Sequence, residues 1–273
     1  MGKLTTARRV FRAQGLNGIL SALKDGYLGK WLGDEDNWWY GKLIEMRGNV
    51  VRIEGCSFSL DSPVIGTALK SNFILNRYER PEREALRRFL DPDLPVIEFG
   101  GSVGVVACLT NRKLNDPRRH VVVEANPALI PLLKKNRDLN GCEFEILPRM
   151  VGYGSEQSTF YPNSVYFLAS TAIPPASGEA DVVLKVQTVN LQSILDQYKF
   201  DRCTLICDIE GGEADLVRHE AHLLKERVAT IILEVHEWSL GEEKVAGMLR
   251  EIESLGFKTV YSEAQTYVFQ KES

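Results

Sequence analysis

The 273-residue sequence lacks a long apolar run: nowhere do 18 hydrophobic residues stand together, so no membrane-spanning helix is expected. It also lacks a basic excess. Its 33 Lys and Arg face 37 Asp and Glu, for a formal net charge of −4, which argues against nucleic acid as a partner. Cysteine is scarce. Cys56, Cys108, Cys142, Cys203 and Cys207 are odd in number, irregularly spaced and without a Cys-x-x-Cys pair. That usage argues against a disulfide framework and predicts a reducing, cytoplasmic setting. The N-terminus lacks the charged, apolar and small-residue order of a signal peptide. Histidine is also rare. His219 and His222 have His-x-x-His spacing without a zinc-protease register and read as surface residues, which leaves His236 as the histidine near a strand end.

What is present is a change of rhythm along the chain. Residues 1–45 carry a partly helical apolar pattern, including Phe11, Leu16, Ile19, Leu20, Leu23, Trp31 and Leu32, broken by glycines and followed by Trp38-Trp39-Tyr40. Such a segment packs on a larger domain, caps a substrate, or makes peripheral contact with a membrane, because Lys and Trp mark interfacial helices. Residues 43–60 alternate loosely, and Gly48-Asn49 predicts a hairpin turn there. Pro81 at a first-turn position, with Leu86, Phe89 and Leu90 on one face, predicts a helix over 80–90. From residue 95, strands at Val96–Phe99, Val121–Glu124, Phe144–Leu147, Thr204–Asp208 and Thr230–Val235 alternate with helices near 103–114, 127–139, 212–225 and 242–255. This is the pattern of an α/β fold with a parallel sheet covered on both faces. Phe257–Tyr261 and Tyr267–Gln270 add an antiparallel strand at its edge. Residues 155–190, with Pro174-Pro175 and the Val182–Val186 run, read as an inserted hairpin or flap. The expected organisation is an appendage over 1–75 and a ligand-binding domain over 76–273.

Four strand ends carry chemistry. The first is Glu98-Phe99-Gly100-Gly101-Ser102-Val103-Gly104, an acid followed by a glycine-rich turn that opens a helix. Glycine permits close backbone approach to a ligand. The spacing departs from the dinucleotide pattern, and an acid at 98 suits an ammonium group better than a phosphate. The second is Glu124-Ala125-Asn126, where an acid after the second strand can accept both hydroxyls of a ribose. The third is Asp208-Ile209-Glu210-Gly211-Gly212-Glu213. Alternation along a strand end puts Asp208 and Glu210 on one side, and Glu213 either joins them or caps the helix. The fourth is Glu234-Val235-His236. Asp208, Glu210 and His236 are candidates for a general base or for holding a divalent metal.

In this order the signals resemble the FkbM family of S-adenosylmethionine (SAM)-dependent methyltransferases, over about Tyr78 to His236. The likeness begins at Tyr78-Glu79-Arg80-Pro81-Glu82, runs through Glu98–Gly104, Glu124–Pro127 and Met150-Val151-Gly152, and is most specific at Asp208-Ile-Glu-Gly211 with Glu213. The resemblance implies a Rossmann-like class I methyltransferase sheet and SAM as cofactor. It implies O-methylation of a sugar, polysaccharide or secondary metabolite. Cofactor contacts would fall to Glu98, Gly100, Gly101, Ser102, Gly104, Glu124, Ala125, Asn126, Met150, Val151 and Asp208, and substrate or lid contacts to Tyr78, Glu79, Glu213 and Glu234. The family usually has a lysine where this chain has Ile206, an aspartate at Glu98 and an alanine at Met150. The alternatives are a non-catalytic SAM-fold binding protein, which Ile206 favours, and an NAD-dependent oxidoreductase, which the glycine spacing disfavours.

Overall fold

The computed structural model describes residues 38–162, 170–171 and 184–271. The apolar pattern before residue 38, Pro174-Pro175 and Val182-Val183 lie outside them. Helix α1 (Trp38–Met46) ends at Gly48-Asn49, whose amides return to the carbonyls of Glu45 and Ile44 at 3.1 and 2.9 Å. Strands β1 (Val50–Ile53) and β2 (Cys56–Ser59) then pair antiparallel. The expected hairpin exists, but its turn is Glu54-Gly55 rather than Gly48-Asn49. Both turn residues take left-handed conformations (φ 48° and 84°), as a two-residue hairpin loop requires. Gly48-Asn49 has the same turn chemistry but closes a helix instead.

Helices α2 (Thr67–Ile74) and α3 (Arg80–Phe89) follow, the latter with Pro81 in its first turn. The strand–helix rhythm begins at β3 (Val96–Phe99) and continues through α4 (Val105–Asn111), β4 (His120–Val123), α5 (Ile130–Leu139) and β5 (Glu145–Leu147). A smaller sheet interrupts it: β6 (Met150–Val151), β7 (Gln157–Pro162), β8 (Ser170–Thr171) and β9 (Leu184–Val189), in the order β6-β9-β7-β8. Then come α6 (Leu191–Tyr198), β10 (Cys203–Cys207), α7 (Glu213–Arg227), β11 (Val228–Glu234), α8 (Glu237–Leu240), α9 (Glu242–Ser254), β12 (Phe257–Glu263) and β13 (Thr266–Lys271).

The main sheet has the order β12-β13-β11-β10-β3-β4-β5. Strands β11 to β5 run parallel, while β13 joins β11 antiparallel and β12 closes the edge. This is the Rossmann-like class I methyltransferase sheet. Strand order reverses between β3 and β10, and ligands of open α/β sheets bind outside the carboxyl ends at such a point.

Alternating residues of the buried strands serve two faces. Ile97, Phe99, Val121, Leu205 and Ile231 pack under α6, α7 and α9. Val96, Val122, Ile206 and Ile232 face the other way, toward α3, α4 and α5. The β1–β2 hairpin adds Val51, Ile53 and Phe58 to that second face. Buried Asn136 of α5 pins it there: its Oδ1 accepts from Ser59 N at 2.7 Å, and its Nδ2 donates to Ser59 O at 3.1 Å and Val103 O at 2.8 Å. One side chain thus ties the hairpin to the glycine-rich turn. Among the described residues no helix is long and apolar enough to cross a membrane.

Candidate active site

A cavity of about 1140 Å³ opens at the carboxyl ends of the central strands. It exceeds the usual range of small-ligand pockets. Its wall includes Tyr78, Glu79, Gly100, Ser102, Glu124, Ala125, Met150, Val151, Asp208, Glu210 and Glu234. Glu98, Gly101, Gly104, Asn126, Glu213 and His236 stand behind the wall rather than on it.

The glycine-rich turn is shaped by the chain itself. A Cβ at Gly100 (φ +95°) would meet Asp208 O at 1.8 Å, and one at Gly104 (φ +87°) would meet Leu133 Cδ1 at 2.7 Å. The missing side chains at these glycines also serve the fold: they let β3 approach β10 and α4 approach α5. Glu124 secures the same turn. One carboxylate oxygen accepts from Ser102 N and the other from Asn126 N, each at 2.7 Å. Glu124 also lines the cavity.

Glu98 departs from the sequence expectation. It lies two residues before the turn and faces the second side of the sheet. There its Oε2 lies 3.3 Å from His120 Nε2, with both side chains buried. Burial pushes Glu98 up and His120 down to about 3, disfavouring charge on both, and Glu98 is not placed to meet an ammonium in the cavity. His120, at the start of β4, was not legible as a partner because pairing across parallel strands is non-local.

The Asp208–Glu213 segment also differs in its cause. β10 ends at Cys207, so strand alternation does not set Asp208 and Glu210 side by side. Instead Glu210 (φ 55°) and Gly211 (φ 105°) turn the chain back. Glu213 holds that turn: its Oε1 accepts from Ile209 N at 3.3 Å and Gly211 N at 3.1 Å, and lies 2.9 Å from His236 Nδ1. The opposite imidazole nitrogen is 3.2 Å from Glu210 Oε2 and 3.5 Å from Asp208 Oδ1. Burial opposes charge on His236, yet the Glu213 bond and the neighbouring carboxylates outweigh it and raise its pKa. His236 thus stands behind the wall, within reach of the two carboxylates that line it.

Glu79, Glu82, Asp208 and Glu234 surround a smaller void of about 10 Å³ together with Ile206. Among the described residues no lysine or arginine pairs with any of the four, and the position where the resemblance leads one to look for a lysine presents an apolar side chain. Burial, reinforced by the neighbouring carboxylates, drives Glu79 and Asp208 well above the usual carboxylate range and Glu234 up to about 7. A positively charged ligand beside them would reverse that shift. Ligand atoms of Asp208, Glu234 and His236 lie within 4.8 Å of one another, a spacing compatible with a metal ion.

Residues the sequence reading did not single out complete the arrangement. Arg83 is buried on α3 and donates to Tyr78 O (3.1 Å), Asn76 O (3.1 Å) and Glu54 Oε1 (2.8 Å). It thereby fixes the segment carrying Tyr78, which stacks on Phe73 and meets Ser102 Oγ at 2.9 Å. On the far side, exposed His219 stacks on Tyr153 at 4.4 Å, and both border the cavity. The surface reading of His219 holds, but it is the surface of the cavity mouth.

The methyltransferase FkbM domain matches residues 98–259, more than half of the chain. No curated protein matches it. Solved structures resemble the chain at low identity. The ribosomal protein L11 methylase of Lactobacillus delbrueckii subsp. bulgaricus is 11% identical, with TM-score 0.41, over 71% of this chain and 78% of that one. Precorrin-6y C5,15-methyltransferase of Geobacter metallireducens GS-15 is 11% identical, with TM-score 0.41, over 70% and 86%. TYW2 of M. jannaschii, in complex with AdoMet, is 13% identical, with TM-score 0.39, over 82% and 86%. Likeness at this level carries no argument. The family match spans β3 to β12 and with them the glycine-rich turn, the Glu124 turn and the Asp208–Glu213 turn, and on it this chain belongs to the FkbM family of SAM-dependent methyltransferases.

Proposed function

We propose that the protein methylates a hydroxyl group of a small-molecule or glycan acceptor, a sugar, polysaccharide or secondary metabolite. The observation that carries this reading is the cavity at the strand-order reversal, acid-lined at its floor and above the usual size of a small-ligand pocket. SAM supplies an electrophilic methyl group on a positively charged sulfur. Glu124 would take the ribose hydroxyls, with Ala125, Met150 and Val151 along the adenine edge. Glu79 and Asp208 would face the cationic end. Their shifted pKa values support this, since bringing positive charge beside them relieves an otherwise costly burial.

A hydroxyl must lose its proton as the new bond forms. Asp208 and Glu210 line the cavity and are the base candidates. His236, buried behind them, acts as a positioning residue that keeps both carboxylates in place. Tyr78, Glu234 and the β6–β9 sheet would bound the acceptor, with residues 76–273 as the catalytic domain, 155–190 as its flap and 1–75 as the appended segment. The net charge of −4 supports an acceptor other than nucleic acid, and the free-cysteine usage supports a cytoplasmic setting.

A second reading places a divalent cation on Asp208, Glu234 and His236, because of their mutual spacing. Turnover that survives a chelator sets it aside. The primary test is calorimetric titration with SAM. Glu124→Gln should weaken binding by about a hundredfold, as expected for losing charge-assisted hydrogen bonds to two hydroxyls. Unchanged affinity in a variant with an intact melting transition would remove Glu124 from the cofactor site.

A further inference from the structure

The methionine end of SAM carries two charges on one carbon: an ammonium, which the acids at the cavity floor suit, and a carboxylate, which they repel. Glu79, Glu82, Asp208 and Glu234 all line the cavity. A carboxylate set beside them without a cation would be costly. A cofactor bound there therefore needs a positive side chain close to the floor.

Four lysine or arginine side chains line the cavity: Arg77, Arg149, Arg218 and Lys244. Arg218 is held by Asp215 at 2.8 Å. Arg149 precedes Met150, which the cofactor reading puts at the adenine edge. Lys244 stands on α9, which follows β11, whereas the glycine-rich turn follows β3, and β10 with the Asp208 turn lies between them. Arg77 belongs to the segment that bears Tyr78 and Glu79, and Tyr78 meets Ser102 of the glycine-rich turn at 2.9 Å. Among the described residues no ion pair or side-chain hydrogen bond engages Arg77, although Glu79 is two residues away.

The backbone on both sides of Arg77 is fixed. Buried Arg83 donates to Asn76 O and to Tyr78 O, each at 3.1 Å, and Arg77 N donates to Asn72 O at 2.8 Å. An exposed guanidinium is thus presented from a held segment, and its planar fork matches a carboxylate with two parallel hydrogen bonds. The residue lies outside the stretch matched to the family, 98–259.

We propose that Arg77 is a cofactor-binding residue that takes the α-carboxylate of SAM, while the acids of the floor take its ammonium. The inference rests on the cofactor site proposed above and gives a partner to the one charge that site leaves without one. The test is calorimetric titration of the full chain with SAM and with decarboxylated SAM, which keeps the sulfonium and the ammonium and lacks the carboxylate. Arg77→Gln should weaken SAM by at least about tenfold, as for loss of charge-assisted hydrogen bonds. It should leave decarboxylated SAM as tight or tighter, since that ligand brings only positive charge. Arg77→Lys should recover part of the loss. Both variants should keep the melting transition, because the side chain is exposed and unpaired among the described residues. Lys244→Gln should leave the ratio of the two affinities unchanged. Equal losses for both ligands, or unchanged SAM affinity, overturn the assignment, and so does a ratio that responds to Lys244→Gln instead. A wild-type chain that binds neither ligand would overturn the cofactor site itself, a result distinct from wild-type SAM binding that Arg77→Gln leaves intact.

Discussion

Asp208 stands where burial and charge oppose each other. Its Oδ1 is buried without a hydrogen bond, and Glu210, Glu213, Glu234 and Glu79 all raise the cost of ionising it. A buried strand end does not collect carboxylates for stability, since an apolar residue of similar size packs there without that penalty. Removing one should therefore cost function and spare the fold. Asp208→Ala is expected to lower turnover by a factor of about a hundred or more, as for loss of a general base or of its charge, with the melting temperature unchanged or raised. Single-turnover kinetics and a thermal melt on the same sample check this. Retained activity would move the base to Glu210.

At the scale of elements, short side-chain bridges decide where segments begin and how they meet. Asn190 starts α6 with a reciprocal cap: its Oδ1 accepts from Ser193 N at 2.9 Å, while Ser193 Oγ lies 3.3 Å from Asn190 N. The cap fixes the register of the helix that follows β9, the strand closing the small sheet beside the cavity. Asn190→Ala is expected to destabilise the protein by about 1 kcal/mol, measurable as a shift of the denaturation midpoint at constant slope. This helix was not read from the sequence, because its eight residues are too few for periodicity to stand out. The Glu54-Gly55 turn shows the same limit. Gly48-Asn49 and Glu54-Gly55 both have turn chemistry, and only packing of the hairpin against Asn136 and α5 selects which one joins the strands.

Across the whole molecule, the acid-lined cavity makes stability depend on pH in an unusual direction. Glu234 titrates near 7 in the folded protein against an ordinary value of 4.5. Between those values the folded state holds a proton that the unfolded state has released, so stability falls as pH rises. His236, raised in the folded state, adds a loss of the same sign as pH passes its folded value. Without cofactor, the protein should melt at a lower temperature at about pH 8 than at about pH 5.5. Glu234→Gln should shrink that difference, and SAM should protect more strongly at the higher pH. A pH series of thermal melts with and without SAM reads all three, and a flat profile would mean that the carboxyl cluster is solvated.

Local pattern by itself determined most of the strand–helix alternation from Val96 onward, α6 excepted, together with the antiparallel edge and the acids at four strand ends, because burial periodicity and turn residues are written in neighbouring positions. Three features were decided only by tertiary structure. Glu98 was turned to His120, the glycines of the turn were spent on Asp208 and Leu133, and His236 was set behind the wall with Glu213. Each depends on which residue a parallel neighbour or a returning turn brings opposite. Those contacts span 22 to 108 positions of sequence, and nothing in local spacing encodes a distance across that much chain.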